Sequence, residues 1–309
     1  MSTLSLRAMQ REDWSEVAEL IYVSTNYWYQ THGRPPIFTG DPASTELFCS
    51  VYEALDPGCC LVAENTRTGR LAGSCFYHPR PTHVSLGIMN VHPNYFGTGV
   101  ARLLLRAIIE IAEGQHKPLR LVSSAMNLDS FSLYTRAGFV PRTAYQDMYL
   151  FVPPEGISYD APEASRVREA TPEDVDAIVG LEEEIHHIRR DKDYRYFLEN
   201  RDGIWHTSVL ESARGGLDGF LVSVGHPGSN MLGPGMARTP AQAAALIFAE
   251  LNHHRGRQPV FLVPVDSGAL VQEMYRWGAR NCELHFAQAR GEWKPPNGII
   301  MPTFMPETG

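Results

Sequence analysis

A short motif that occurs twice sets the tightest limit on what this chain can fold into. Val167-Arg168-Glu169-Ala170-Thr171-Pro172-Glu173-Asp174 echoes Leu6-Arg7-Ala8-Met9-Gln10-Arg11-Glu12-Asp13, and both run into an apolar helical pattern, ending near Leu181 and Leu20 respectively. The segments that follow repeat in the same order, so two copies of one architecture are the economical reading. The chain's 309 residues leave room for two domains, each of roughly 150 residues and able to bury its own core. The expected organisation is an N-terminal domain over 1–152, a polar, proline-bearing linker over 153–165 and a C-terminal domain over 166–309.

In the first copy Leu4–Ala8 reads as a strand, and Val17, Ala18, Leu20, Ile21 and Val23 fall at helical spacing. An aromatic group follows, Tyr27, Trp28, Tyr29, His32 and, after Pro35-Pro36 have stopped the helix, Phe38. Asp41-Pro42 opens a second helix running to Leu55. Strands are expected at Cys60–Glu64, Leu71–Tyr77 and Val84–Val91, then the strongest helix, Gly99–Glu113, with Leu103, Leu104, Ala107, Ile108 and Ile111 on one face. A strand at Leu119–Ala125, a helix at Asp129–Ala137 and one or two strands within Val140–Val152 complete the copy. The second copy shows strands at Thr207–Glu211, Gly219–Val224 and Val260–Val265, and helices at Pro240–Leu251 and Ser267–Trp277. The tail from Trp293, with prolines at 295, 296, 302 and 306, is expected to be extended and to lie across the other domain. The fold class is therefore α/β with a mixed sheet.

Chemistry enters where a strand gives way to that strongest helix, in Val91-His92-Pro93-Asn94-Tyr95-Phe96-Gly97-Thr98-Gly99-Val100-Ala101. Two glycines one residue apart let backbone amides approach a ligand, and the helix start presents unpaired N–H groups and a positive dipole end. That combination suits a phosphate. The matching stretch of the second copy, Gly225 to Pro240, has glycines, but Pro234 and Pro240 each remove a donor, so the second copy reads as degenerate.

Composition narrows the partners. A net charge of -8 argues against nucleic acid, which needs a basic face. The apolar runs are too short and too often broken by arginine to span a membrane, and Met1–Arg11 lacks a signal-peptide core, so a cytoplasmic location is expected. The five cysteines include no C-x-x-C pair and read as buried thiols. The twelve histidines form no metal-ligand spacing, and His186-His187 and His253-His254 read as solvated helix-end residues; no metal is expected.

The first half resembles the GCN5-related N-acetyltransferase (GNAT) superfamily, and the two-copy layout looks like its tandem members. The first matching block is the Val91–Ala101 stretch; the second is Asn127-Leu128-Asp129-Ser130-Phe131-Ser132-Leu133-Tyr134-Thr135-Arg136-Ala137-Gly138-Phe139, which carries the family's Asn, Phe-Tyr-like and Gly-Phe positions. Asn94 and Phe96 depart from the glutamine or arginine and the basic residue usual at those positions. The resemblance implies acetyl-CoA as co-substrate. Backbone groups of Met89, Asn90 and Val91 would serve the pantetheine arm and the thioester carbonyl. Gly97, Thr98, Gly99, Val100, Ala101 and Arg102 would hold the pyrophosphate, and Asn127 would contact the pantetheine.

Acetyl transfer to an amine needs an oxyanion donor, a route for the amine proton and an acid for the departing thiolate. Tyr134 is the expected acid, because a phenol with an ordinary pKa of about 10 is still protonated at neutral pH. Tyr275, its counterpart in the second copy, reads as structural. His83 and Glu46 are candidates for the base, which the sequence leaves unassigned. The aromatic group Tyr27 to Phe38 is expected to select the acceptor, a small-molecule amine or a peptide amine; a homodimer is compatible with the sequence. The alternative from another class is a non-catalytic acyl-CoA sensor or interaction module. A Rossmann or P-loop enzyme is disfavoured because there is no Gly-Lys-Ser/Thr and no suitably placed acidic residue.

Overall fold

A computed structural model describes residues 3–306; the extreme ends of the expected leaderless N-terminus and extended tail lie outside the described residues. The order of elements in the first half is repeated by the second. β1 (Leu4–Ala8), α1 (Trp14–Thr31), α2 (Glu46–Leu55), β2 (Cys60–Asn65), β3 (Arg70–Pro79), β4 (Val84–Val91), α3 (Val100–Gly114), β5 (Leu119–Ser124), α4 (Leu128–Arg136) and β6 (Val140–Tyr149) come first. They are matched in turn by β7 (Val167–Glu169), α5 (Val175–His186), α6 (Asp191–Glu199), β8 (Trp205–Glu211), β9 (Leu217–His226), β10 (Ser229–Ala237), α7 (Pro240–His253), β11 (Val260–Pro264), α8 (Gly268–Arg276) and β12 (Arg280–Arg290). A last short strand, β13 (Ile299–Met301), belongs to neither series.

The echoed motif is a physical unit in both places. Arg7 donates to Asp13 at 2.6 and 2.9 Å and to Glu64 at 2.6 Å. Arg168 does the same to Asp174 at 2.7 and 2.8 Å and to Glu211 at 2.8 Å. Each Asp also closes a capping box on the turn that starts the following helix, through Gln10 and Thr171. The repeat therefore fixes the angle between first strand and first helix twice over.

The described chain forms two compact units. The first holds residues up to Pro79, His83–Leu119 and the tail from Phe304; the second holds Arg80–Thr82 and Arg120–Thr303. In the first unit β1 to β4 pair antiparallel in order, with Leu6 opposite Ala63, Val62 opposite Ser74 and Ser74 opposite Asn90. Side chains alternate across a strand, so Gly73 and Ser74 face opposite sides. A Cβ at Gly73 would come within 2.8 Å of Val100 Cγ1 and 3.2 Å of Leu104 Cδ1 of α3. Asn90, opposite Ser74, bonds Ser24 of α1. Helices α1 and α3 thus cover the two faces, and glycine at 73 sets how closely α3 can pack.

In the second unit the strands run β5-β12-β6-β11-β10-β9-β8-β7. β6 is antiparallel to β12 on one side, with Tyr145 opposite His285, and to β11 on the other, with Leu262 opposite Asp147. The last strand of each copy has therefore changed places with its counterpart, which is why the compact units do not follow the halves of the sequence. Its core joins Met148, Leu150 and Val152 from β6 and the residues just beyond it to Leu246, Leu251, Phe261 and Trp277.

Four elements escaped the sequence reading. β10 lies inside the stretch read as a glycine-rich connection, α6 carries the charged sequence DKDYRYFLE, β12 is interrupted by polar residues, and β13 is only three residues long. Helix α1 also continues through Tyr27–Thr31, so the aromatics sit on its last turns. His186 and His254 are at helix ends but are buried at 5% and 2% exposure, which corrects their reading as solvated. The thiols of Cys49, Cys60 and Cys75 are buried as expected, whereas Cys59 and Cys282 are only half-buried, and desolvation pushes Cys49 up to about 12, leaving it un-ionised. No described helix is long and apolar enough to cross a membrane.

The fully buried Glu250 of α7 stays ionised in spite of its desolvation, because His206 lies 2.9 Å away and Ser223 donates to it at 2.5 Å. His206 is partly desolvated, yet Glu250 and Glu169 hold it above its ordinary value of 6.5; it stacks at 3.7 Å on His253, which burial and His206 hold low. The raised His206 stabilises fully below 6.5 and loses its contribution as pH rises through its folded value. The depressed Glu250 stabilises above 4.5 and loses its contribution as pH falls through its folded value. A thermal-melting series should show the greatest advantage over His206→Gln between these limits, with the advantage shrinking towards alkaline pH. An unchanged difference from pH 5 to 9 would contradict the pairing.

Candidate active site

β4 ends at Val91, and His92-Pro93 start a short turn in which the His92 ring accepts from Asn94 N at 3.2 Å. The turn is tied by Tyr95 N to His92 O at 2.8 Å and Phe96 N to Pro93 O at 3.1 Å. Both donors of Thr98, its amide at 3.2 Å and its hydroxyl at 2.7 Å, go to Tyr95 O. Thr98 therefore holds the loop's shape.

Gly97 and Gly99 adopt φ of +75° and +93°, the left-handed region that glycine enters without penalty. No atom lies within 4 Å of where a Cβ would stand on either, so the loop is open on that side. Gly99 caps α3, whose first helical bond runs from Leu103 N to Gly99 O at 3.0 Å. The amides of Val100, Ala101 and Arg102 precede that bond and stand at the positive end of a 15-residue helix. The chain supplies here what an anion needs: N–H donors, a favourable dipole and no side chain in the way.

The three β4 residues split by direction. Met89, Asn90 and Val91 pair with Cys75, Ser74 and Gly73 of β3. The Asn90 side chain turns towards α1, where its Nδ2 donates to Ser24 Oγ at 2.6 Å, while its buried Oδ1 has no partner among the described residues. Ser24 and Thr25, which complete this polar patch, carried no sequence signal because they lie within a helical run.

The aromatic group does not act as one cluster. Trp28 stacks on His32 at 4.2 Å and meets Tyr29 edge-on, whereas Tyr27 pairs with Phe96 beside the glycines at 5.8 Å. Phe38 packs instead against Tyr22 and Phe48, with its backbone clasped by the Asn26 side chain at 2.9 and 3.0 Å. Of the two bases weighed, His83 is fully buried and Glu46 is half-buried in the first turn of α2. A buried His78–Asp56 pair at 2.8 Å, with the Tyr52 ring against His78, was not anticipated. A Cβ at Gly87 would come within 2.7 Å of His78 Nε2, so this pair is locked into the packing.

In the second unit Asn127 caps α4, its Oδ1 accepting from Ser130 N at 3.0 Å. Tyr134 lies on α4 at 7% exposure and packs edge-on against Phe139 at 5.8 Å. The far end of that helix is held from the second copy: Arg290 of β12 donates to Ala137 O at 3.0 Å, and Phe286 packs on Phe131 at 5.6 Å. Tyr275, the counterpart in the second copy, is on the surface and donates to Gln146 at 2.7 Å.

One group has metal-like spacing. Asp147, Glu283 and His285 on β6 and β12 bring ligand atoms within 4.8 Å of one another. His285 already pairs with Asp147 at 2.9 Å, and Ser124 donates to Glu283. Burial would lower the His285 imidazole, but the two carboxylates hold it above its ordinary value. His285 and Asp147 form a buried ion pair between β12 and β6, with Glu283 beside it.

The acetyltransferase (GNAT) family model matches residues 13–139, which span the glycine loop and Tyr134. A putative acetyltransferase from Pyrococcus horikoshii matches in structure with a TM-score of 0.74 at 14% identity, over 99% of this chain and 96% of that one. A tandem GNAT protein from the clavulanic acid biosynthesis pathway matches with a TM-score of 0.58 at 14% identity, over 93% and 98%. In sequence, the UPF0157 protein YqkA of Bacillus subtilis (strain 168) is 33% identical over 73 residues, 24% of this chain and 21% of that protein. The structural matches establish the fold over the full length, and the family pattern sits on the residues that build the glycine loop and α4. Residues 13–139 thus carry the pattern of the acetyltransferase (GNAT) family, and the whole chain has the fold of tandem GNAT proteins.

Proposed function

We propose that the chain is an N-acetyltransferase that moves the acetyl group of acetyl-CoA directly onto a primary amine, a small molecule or a peptide amine, using its first copy. The observation that carries this reading is the left-handed Gly97/Gly99 loop at the head of α3, a binding place for the cofactor's pyrophosphate. Backbone groups of Met89–Val91 serve the pantetheine arm, and Asn127, whose Oδ1 is committed to capping, has its Nδ2 left for that arm.

In the reaction the amine nitrogen bonds to the thioester carbonyl carbon, charge gathers on the carbonyl oxygen, and the C–S bond breaks. Tyr134 gives its phenolic proton to the departing thiolate and is reprotonated from solvent. The amine's surplus proton leaves to water. The second copy lends support through β12, which holds the end of α4.

Full-length protein incubated with acetyl-CoA and a panel of amines should release free thiol in step with acetylated product. Slow thioester hydrolysis with no acetylated amine would favour the sensor reading instead. General acid catalysis contributes roughly 10²- to 10⁴-fold, so Tyr134→Phe should lower kcat by about that factor while acetyl-CoA affinity holds. An unchanged kcat with every productive amine would remove Tyr134 from the role.

A further inference from the structure

The second copy carries glycines within β10, the strand that corresponds to β4, and the edge they lie on already has an occupant. β13 runs antiparallel along β10, with Gly235 opposite Met301, Met236 opposite Ile300 and Ala237 opposite Ile299. It also lies against β11. β10 and β11 pair directly only at Met231–Val260 and Leu232–Phe261. Beyond a bulge between Leu232 and Gly235, the β10 edge is taken by the tail.

The fit is close at both ends. A Cβ on Gly233 would come within 2.5 Å of Pro302 O, and one on Gly298 within 2.6 Å of Ala237 O. Asn297 N donates to Ile185 O at 2.8 Å. Ile300, Met301 and Thr303 are at most 5% exposed. Past Thr303 the chain enters the first unit, where Tyr52 donates to Phe304 O at 3.0 Å and Met305 is fully buried.

In the repeated order, the end of β10 corresponds to the Met89–Val91 end of β4. Pantetheine and an extended peptide are chemically alike here: both are narrow chains whose amides can pair with a strand edge. We infer that the β10 edge is a peptide-binding site whose resident ligand is the chain's own tail, standing where a second pantetheine arm would run. The protein therefore takes one acyl-CoA per chain; this last point rests on the function proposed for the first copy. It also gives the glycines on the two sides a purpose, because Gly233 of β10 and Gly298 of the tail each admit backbone against backbone.

The test uses full-length protein with a specific-protease sequence inserted after the exposed Lys294. After cleavage, residues 295–309 should stay bound through gel filtration and appear as one tail per body in native mass spectrometry. Gly298→Ala in the same background should speed tail loss at least ten-fold. Acetyl-CoA calorimetry on the uncut protein should give one equivalent. The inference is overturned if the tail leaves at once with amide protection of Gly235–Ala237 unchanged, or if the uncut chain binds two equivalents. Tail retention without any acetyl-CoA binding supports the peptide site and overturns only the reading of the first copy.

Discussion

A Gly97→Val/Gly99→Val double variant is expected to lose acetyl-CoA affinity by on the order of 30- to 1000-fold while keeping its fold. Both positions are left-handed, at φ +75° and +93°, where a β-branched side chain is a marked outlier. The penalty for an L side chain there is about 1–2 kcal/mol per residue, so about 2–4 kcal/mol for the pair. Crowding is not the cause, since no atom lies within 4 Å of either Cβ position. The loop escapes the strain by leaving the left-handed region, and the amides ahead of Leu103 then no longer converge. Gly58→Val provides the control: it too has positive φ, +75°, and open space, but adjoins the Cys60 start of β2, opposite Phe76, at the end of β3 away from Gly73 and Val91. It should lose stability to a similar degree with unchanged acetyl-CoA binding. If it weakens binding as much as the double variant, the effect is general loosening and the loop has no special part in binding.

The largest stability effect should come from Arg80. Its guanidinium donates to Asp193 at 2.5 and 2.6 Å, and both side chains are at most 1% exposed. Beside it Arg190 donates to Glu182 at 2.6 Å and to Tyr194 Oη at 2.8 Å, and Arg120 meets His186 at 3.2 Å. Burial and the nearby arginines keep His186 neutral. Removing one member of a buried ion pair leaves a charge without compensation, at a cost of about 3–5 kcal/mol. Set against a total stability of roughly 5–15 kcal/mol, Arg80→Ala or Asp193→Ala should produce a fragile or largely unfolded protein. Replacing both, as Arg80→Met with Asp193→Leu, should cost clearly less than either single change in chemical denaturation, because no charge is stranded. A double variant as unstable as the sum of the singles would mean that the pair contributes strong net attraction.

These two predictions differ in how visible their residues were in the sequence. The glycine loop was legible because its chemistry is local: glycine spacing, a helix start and a strand end are adjacent in the chain. The repeat was legible for the same reason, and Arg7–Asp13 and Arg168–Asp174 show that the echoed residues do the same job in both copies. Capping chemistry placed Asp41 before α2, where its side chain accepts from Ala43 N at 2.9 Å. The Arg80–Asp193 pair spans 113 positions, and nothing in either neighbourhood foretells the other.

The exchange of β6 and β12 was hidden for a related reason. Pairing partners of an antiparallel strand are set by which edge is open in the folded chain, and both strands have similar mixed polar and apolar patterns. β10 was missed because Gly233, Pro234 and Gly235 are poor strand formers by propensity, and only close packing against Leu221 and Pro302 accounts for them. Asn127 and Thr98 show a further limit. A family pattern marks such residues for the cofactor, whereas their hydrogen bonds give Asn127 a helix to cap and Thr98 a turn to hold.

The most direct test of acetyl-CoA use is titration calorimetry of acetyl-CoA into the full-length wild-type protein, repeated with the Gly97→Val/Gly99→Val variant. Saturable binding at one equivalent per chain, lost in the variant, is the predicted result. No heat and no thermal shift with the wild type, or equal binding by both proteins, would contradict it.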